Sequence, residues 1–213
     1  MKEITFYLDF VSPYAHLAFE QLPEALSGLS YAVTYRPVLL GAMLKHHGQL
    51  GPAEVPAKRA WTYRHVHWLG QHHGVRLQMP ASHPFNPLPL LRLALACAEG
   101  GDPNRHVCET LLRHVWHGGA DALAPERLQA LHEQLAPALP LDSEAVKARL
   151  RANTDEAVSA GVFGVPAFVV DGRVFWGFDA LPMVRDYLGG GAWFDTPDWS
   201  AVAELPVGLA RQR

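Results

Sequence analysis

Apolar and polar positions change period along this chain, and the changes outline its elements. Ile4, Phe6 and Leu8 alternate with Thr5, Tyr7 and Asp9, so residues 2–9 are predicted as a strand. Ser12-Pro13 follows, and this pair signals a helix start. A serine hydroxyl caps a free backbone N–H, and proline at the first helical position loses no hydrogen bond. The helix runs through Leu17, Ala18, Gln21 and Leu22 toward Gly28, with a kink or early stop expected at Pro23. Alternation returns over Tyr31–Pro37, where Tyr31, Val33 and Tyr35 oppose Ala32, Thr34 and Arg36. Strand, helix, strand with short joins predicts two parallel strands with a right-handed crossover.

From about Leu39 to Ala160 the period shifts from 2 toward 3.6, and residues 57–73, 88–99, 103–117, 125–136 and 143–160 read as helices. Asp102-Pro103, Ala124-Pro125 and Asp142-Ser143-Glu144 mark three of their starts, while Pro80, Pro84, Pro87 and Pro89 place a loop between the first two. The β pattern resumes at Pro166-Ala167-Phe168-Val169-Val170, and Asp171-Gly172 separates it from Arg173-Val174-Phe175-Trp176. Asp-Gly between two apolar runs is a two-residue hairpin signal. A helix over about 179–188 and a tail loosely packed on the surface complete the chain. The expected fold is therefore α/β: βαβ, a large all-helical insertion, then ββα, around a four-stranded mixed sheet. Residues 1–38 and 161–190 form the sheet-containing part, 39–160 the insertion and 191–213 the tail.

Composition narrows the function. The chain of 213 residues is 49% hydrophobic and 18% charged, which is ordinary for a globular protein. A net charge of −3 offers nucleic acid no basic surface, and no apolar run is long enough to span a bilayer. Met1-Lys2-Glu3 leads straight into the first strand without the pattern of a signal peptide. Cys97 and Cys108 have neither redox-motif nor metal-knuckle spacing, so reduced, buried thiols and a cytoplasmic location are expected.

Four features could carry chemistry. Ser12 is either a helix cap alone or a hydroxyl donor to a thiolate or oxyanion at the positive end of a helix dipole. Val165-Pro166 is an ordinary strand start or a cis bond beside which the Val165 backbone pairs with an extended ligand. Asp179 either caps the last helix or receives a ligand ammonium group. Residues 45–73 hold Lys45, His46, His47, Lys58, Arg59, His65, His67, His72 and His73. His65 and His67 point roughly 200° apart on a helix and no His-Glu-x-x-His run exists, so no metal site is expected. His16, one turn after Ser12, is read as a proton shuttle or as a partly exposed helical histidine.

Six runs together resemble a known family. These are Asp9-Phe10-Val11-Ser12-Pro13-Tyr14, Arg36-Pro37-Val38-Leu39-Leu40-Gly41, Val55-Pro56-Ala57-Lys58, Pro84-Phe85-Asn86-Pro87-Leu88, Gly161-Val162-Phe163-Gly164-Val165-Pro166 and Phe175-Trp176-Gly177-Phe178-Asp179. In this order, over about residues 4–188, the chain resembles the 2-hydroxychromene-2-carboxylate isomerases. That family stands with the kappa-class glutathione transferases and is related to the bacterial disulfide oxidases. The resemblance implies a thioredoxin-like fold split by a helical insertion, a homodimer, and glutathione as cofactor. It also implies a small aromatic substrate, a chromene carboxylate converted to trans-o-hydroxybenzylidenepyruvate, with Trp61 and Phe85 shaping its pocket.

By position, the resemblance makes Ser12 the catalytic group that stabilises the glutathione thiolate. Val165, before a cis Pro166, meets the cysteinyl backbone, and Lys58 holds the glycyl carboxylate. Phe178 and Asp179 meet the γ-glutamyl end, and Lys45 and Gln49 complete the cofactor-binding set. Gln49 stands where the family more often has asparagine, Phe178 where it has a small or polar residue, and Ala180 where the isomerases commonly have arginine. A glutathione transferase and a non-catalytic thiol- or peptide-binding module are the alternatives. A disulfide oxidoreductase needs a cysteine where this chain has Ser12.

Overall fold

The computed structural model describes residues 1–209. Its sheet has four strands: β1 (Lys2–Leu8), β2 (Tyr31–Pro37), β3 (Ala167–Val170) and β4 (Arg173–Trp176), in the order β2-β1-β3-β4. β1 and β2 run parallel, with Phe6 opposite Tyr35, joined by the helix α1 (Pro13–Ala25). β3 lies antiparallel on the other side of β1, pairing Phe168 with Phe6, and β4 closes the edge. At the β3–β4 hairpin both Asp171 (φ 49°) and Gly172 (φ 76°) are left-handed, as a type I′ turn demands.

Because β1 is central, its far end is covered on both faces, and alternation breaks down there: Tyr7 and Asp9 are buried along with Phe6 and Leu8. On one face Phe6 sits 4.7 Å from the Phe168 ring and within 6.5 Å of Phe19 on α1. The opposite face packs Tyr7, Val165 and Ala167 against Met43 of α2 (Leu40–His46) and Ala157 of α7 (Glu144–Ser159).

The segment between β2 and β3 is helical as expected. It contains α2, α3 (Pro56–His72), α4 (Leu88–Ala96), α5 (Arg105–Trp116), α6 (Pro125–Leu135) and α7. Leu90, Leu91, Leu111 and Trp116 from this segment join Phe6 and Phe168 in one continuous core. The helix α2 was not separately predicted, because its cap is not local. Leu39 at its N-cap makes no side-chain hydrogen bond to it; the Asp9 carboxylate instead accepts from the Leu40 N–H at 2.9 Å. The start of α5 also differs, with Asn104 as the cap accepting from the Val107 N–H at 3.0 Å.

Two further expectations are corrected. Asp179 does not cap the last helix: a 3-10 turn, Phe178–Ala180, precedes α8 (Leu181–Leu188). The tail is not uniformly loose. Phe194 is buried against Phe175 and Tyr187, and α9 (Pro197–Ala201) brings the Trp199 ring to 5.1 Å from Phe194. Leu205, Val207 and Leu209 are exposed, and the part of the tail over 210–213 lies outside the described residues. Among the described residues no helix is long and apolar enough to cross a membrane.

Candidate active site

Ser12 lies where β1 hands over to α1, and four backbone contacts hold this corner. The Ser12 N–H donates to the Asp9 carbonyl at 3.0 Å, and the Val11 N–H to the Asp9 carboxylate at 3.1 Å. His83 Nε2 donates to the Val11 carbonyl at 2.8 Å, and Trp116 Nε1 to the Phe10 carbonyl at 3.1 Å. A carbonyl can only accept, so His83 carries its proton on Nε2, leaving Nδ1 to meet the Tyr63 hydroxyl at 2.8 Å. Burial lowers the His83 pKa, in keeping with a neutral ring. Asp9 is completely buried, and desolvation pushes its carboxyl up to about 7 against the opposing pull of three backbone N–H groups.

At the helix start Ser12 has extended backbone, and its Oγ accepts from the Ala15 N–H at 3.2 Å. The capping reading of Ser12 is therefore correct as far as local structure goes. Its hydroxyl also faces the Val165 carbonyl at 3.5 Å, the outer limit of a hydrogen bond. Such a weak contact leaves the O–H proton available to a better acceptor. The Val165-Pro166 bond is cis, and both residues are buried. Ser12 and Val165, 153 positions apart in sequence, thus meet at the positive end of α1.

Phe178 and Asp179, on the turn before α8, lie beside α1. The Tyr14 pKa is raised first by burial and then by the charge of Asp179, so that carboxylate lies within electrostatic reach of α1. Tyr14 Oη meets His65 Nδ1 of α3 at 2.9 Å, and the Phe178 ring lies edge-on to His73 at 5.0 Å. Asp179 is exposed, and its carboxylate folds over the backbone of Gly177, where a Cβ would collide with it. Gly177 has φ 101°, which also favours glycine there.

Lys45, Gln49 and Lys58 are exposed, on α2, the following loop and the first turn of α3, and no bond among the described residues joins them to Ser12 or Val165. Trp61 is largely exposed and stacks on His65, which stacks in turn on Trp68, while Phe85 packs edge-on to His83. Two clefts of about 760 and 370 Å³ lie elsewhere, one lined by Tyr31, Tyr35 and Arg105, the other by His67, Arg76 and Gln78.

His16 corrects both of its sequence readings. It is fully buried, and its Nε2 donates inward to the Arg76 carbonyl at 2.9 Å. Cys108 is buried and Cys97 half-buried, and both are free; burial raises both thiol pKa values. Sequence reasoning missed Asp9, Tyr14, His65, Tyr63 and His83 as parts of the site. Asp9 and Tyr14 stood inside the run that carried the resemblance, but their partners come from distant segments.

Residues 3–189 match the family described as DSBA-like thioredoxin domain. The chain belongs to this family. Among its curated relatives, the 2-hydroxychromene-2-carboxylate isomerase of Sphingobium xenophagum is 29% identical over 199 residues, covering 88% of this chain and 98% of the relative. The glutathione S-transferase kappa 2 of Caenorhabditis elegans is 26% identical over 207 residues, covering 88% and 92%. A solved structure of a 2-hydroxychromene-2-carboxylate isomerase superposes with a TM-score of 0.73 at 21% identity, covering 92% of this chain and 98% of that one. The expected thioredoxin-like fold with a helical insertion and the family resemblance are both borne out. The turn from Asp9 to Tyr14 carries Ser12 and no cysteine.

Proposed function

We propose that this protein is a glutathione-dependent isomerase of the 2-hydroxychromene-2-carboxylate type. The observation that carries the reading is the meeting of the Ser12 hydroxyl and the Val165 backbone at the start of α1. A disulfide oxidoreductase would need a thiol of its own at that place; here the thiol must come with a ligand. The curated relatives named as isomerases and glutathione transferases support the choice of ligand and reaction class.

The donor set suits a small thiol peptide. Ser12 offers an O–H, the first turn of α1 offers the Tyr14 N–H and the positive end of a dipole, and the Val165 backbone offers strand-like pairing. Asp179 and Lys58 carry opposite exposed charges, as the ammonium and glycyl carboxylate of glutathione require. When bound, glutathione would supply a nucleophilic thiolate for the isomerisation and would not be consumed by it. Ser12 holds that sulfur as an anion by donating its hydroxyl proton in a hydrogen bond, aided by the helix dipole. Stabilising the anion over the neutral thiol is what lowers a thiol pKa. Asp9 and the His83–Val11 bond fix the backbone from which Ser12 projects. Trp61 and Phe85 supply apolar surface for the aromatic substrate. We extend the reading to a cytoplasmic homodimer acting in aromatic degradation.

One assay separates this from the kappa-type transferase that the second relative favours. The chromene carboxylate is incubated with enzyme and substoichiometric glutathione, and both product and free thiol are followed. The isomerase reading expects full conversion with the thiol titre unchanged. Stoichiometric loss of thiol would make it a transferase, and binding without turnover a non-catalytic module.

A further inference from the structure

Behind the Ser12 corner, α1 carries a second constellation. His16 and Glu20, four positions apart, lie on one face of α1, and His117 at the C-cap of α5 meets them there. One ligand atom from each lies within 4.8 Å of the other two. His16 Nδ1 and His117 Nε2 are both buried and both lack a hydrogen-bond partner. The His16 tautomer is fixed by its other nitrogen. Nε2 faces the Arg76 carbonyl at 2.9 Å and must carry the proton, so Nδ1 presents a bare lone pair. A ring that donates one N–H to a backbone carbonyl and keeps its other nitrogen free of a hydrogen bond is arranged as metal-bound histidines usually are.

We propose that His16, Glu20 and His117 form a binding site for a divalent first-row transition-metal ion such as Zn²⁺. Two imidazoles and one carboxylate, with water in a fourth position, are a sufficient tetrahedral set. Bonds of about 2.0–2.1 Å require ligand atoms about 3.3 Å apart, so the cluster has to contract on binding. His16 is fixed by its burial, but Glu20 and His117 are only partly buried and can turn inward. Glu20 now accepts from Arg113 at 2.9 and 3.1 Å. Arg113 also pairs with Glu109 at 2.6 Å, so it keeps a carboxylate when Glu20 turns to the ion. A bound ion would tie the helix that bears Ser12 to the end of α5, independently of any thiol ligand.

The test uses the untagged full chain, stripped with chelator and held reduced without glutathione. Equilibrium dialysis against Zn²⁺, with elemental analysis, gives stoichiometry, and titration with Co²⁺ gives ligand geometry from its visible absorption. One equivalent should bind, with a Co²⁺ spectrum of a tetrahedral site. Glu20→Gln and His117→Ala, both at partly exposed positions, should each weaken binding by at least about tenfold. Near-UV circular dichroism confirms that each variant is folded, and His72→Ala on the His-rich α3 should leave binding unchanged. Absence of saturable binding would overturn the proposal, leaving only water between the rings. Binding that survives both ligand variants but is lost in His72→Ala would also overturn it.

Discussion

Replacing Ser12 separates its two uses, because alanine and glycine treat them differently. Both remove the hydroxyl, but they differ as helix caps. Ser12 Oγ now accepts from the Ala15 N–H at 3.2 Å, and alanine at such a position costs ~1 kcal/mol, whereas glycine costs only a few tenths. In a chain of this size 1 kcal/mol corresponds to a melting shift of about 2–4 °C. The contact to the Val165 carbonyl, at 3.5 Å, adds little. A hydrogen bond to a charged partner is worth ~1.5–3 kcal/mol. Losing it from a bound thiolate therefore lowers the reactive fraction roughly ten- to a hundredfold near neutral pH. Ser12→Ala and Ser12→Gly should thus show the same loss of kcat for chromene isomerisation, while only Ser12→Ala melts measurably lower. Thermal unfolding and steady-state kinetics on the two variants provide the comparison. If Ser12→Gly keeps wild-type turnover, or if activity tracks melting temperature across the pair, the hydroxyl is only a cap.

Asp9 makes the stability pH-dependent. Its carboxyl titrates near 7 when folded, against an ordinary 3.8, so the folded state binds the extra proton between those values. Stability should therefore fall as pH rises from about 4 to about 7, by at most ~4 kcal/mol, and then level off. Asp9→Asn removes that slope, and denaturant unfolding across the window checks it; an unchanged slope would place the effect elsewhere. Phe194→Ala should cost ~3–5 kcal/mol, because its ring is buried against Phe175, Tyr187 and Trp199. A loss below about 1 kcal/mol in urea unfolding would mean that the tail is not part of the core.

Features with local causes were legible. The Asp171-Gly172 hairpin, the Tyr31–Pro37 strand, the Ser12 cap and the helix start at Asp142-Ser143-Glu144 each depend on residues a few positions apart, and they stand as read. Features that depend on a distant partner were not. Helix α2 owes its cap to Asp9, 31 positions earlier, so nothing near Leu39 announces it. His16 reads as a proton shuttle or a partly exposed helical histidine, but α1 is enclosed by α3, α5 and α8, which buries His16 completely. Phe194 stands among Gly189, Gly190, Gly191 and Pro197, whose composition suggests a loose tail, yet the hairpin and α8 leave a site for its ring. At the site, Ser12 and the 165–166 pair were marked in advance because each stands at an element boundary. The His83–Val11 bond and the Tyr14–His65 pair join segments 72 and 51 positions apart, and no local pattern marks them.

The central claim is that the start of α1, through Ser12, holds a ligand's sulfur as a thiolate. Ultraviolet titration of the thiolate in the binary complex with glutathione tests it without any substrate. A cysteine thiol ordinarily titrates at about 8.5 and falls to about 7.5 or lower at helix N-termini. The bound thiol should show a depression of that order, largely abolished by Ser12→Ala. A bound thiol that titrates at its solution value in the wild-type protein would contradict the account.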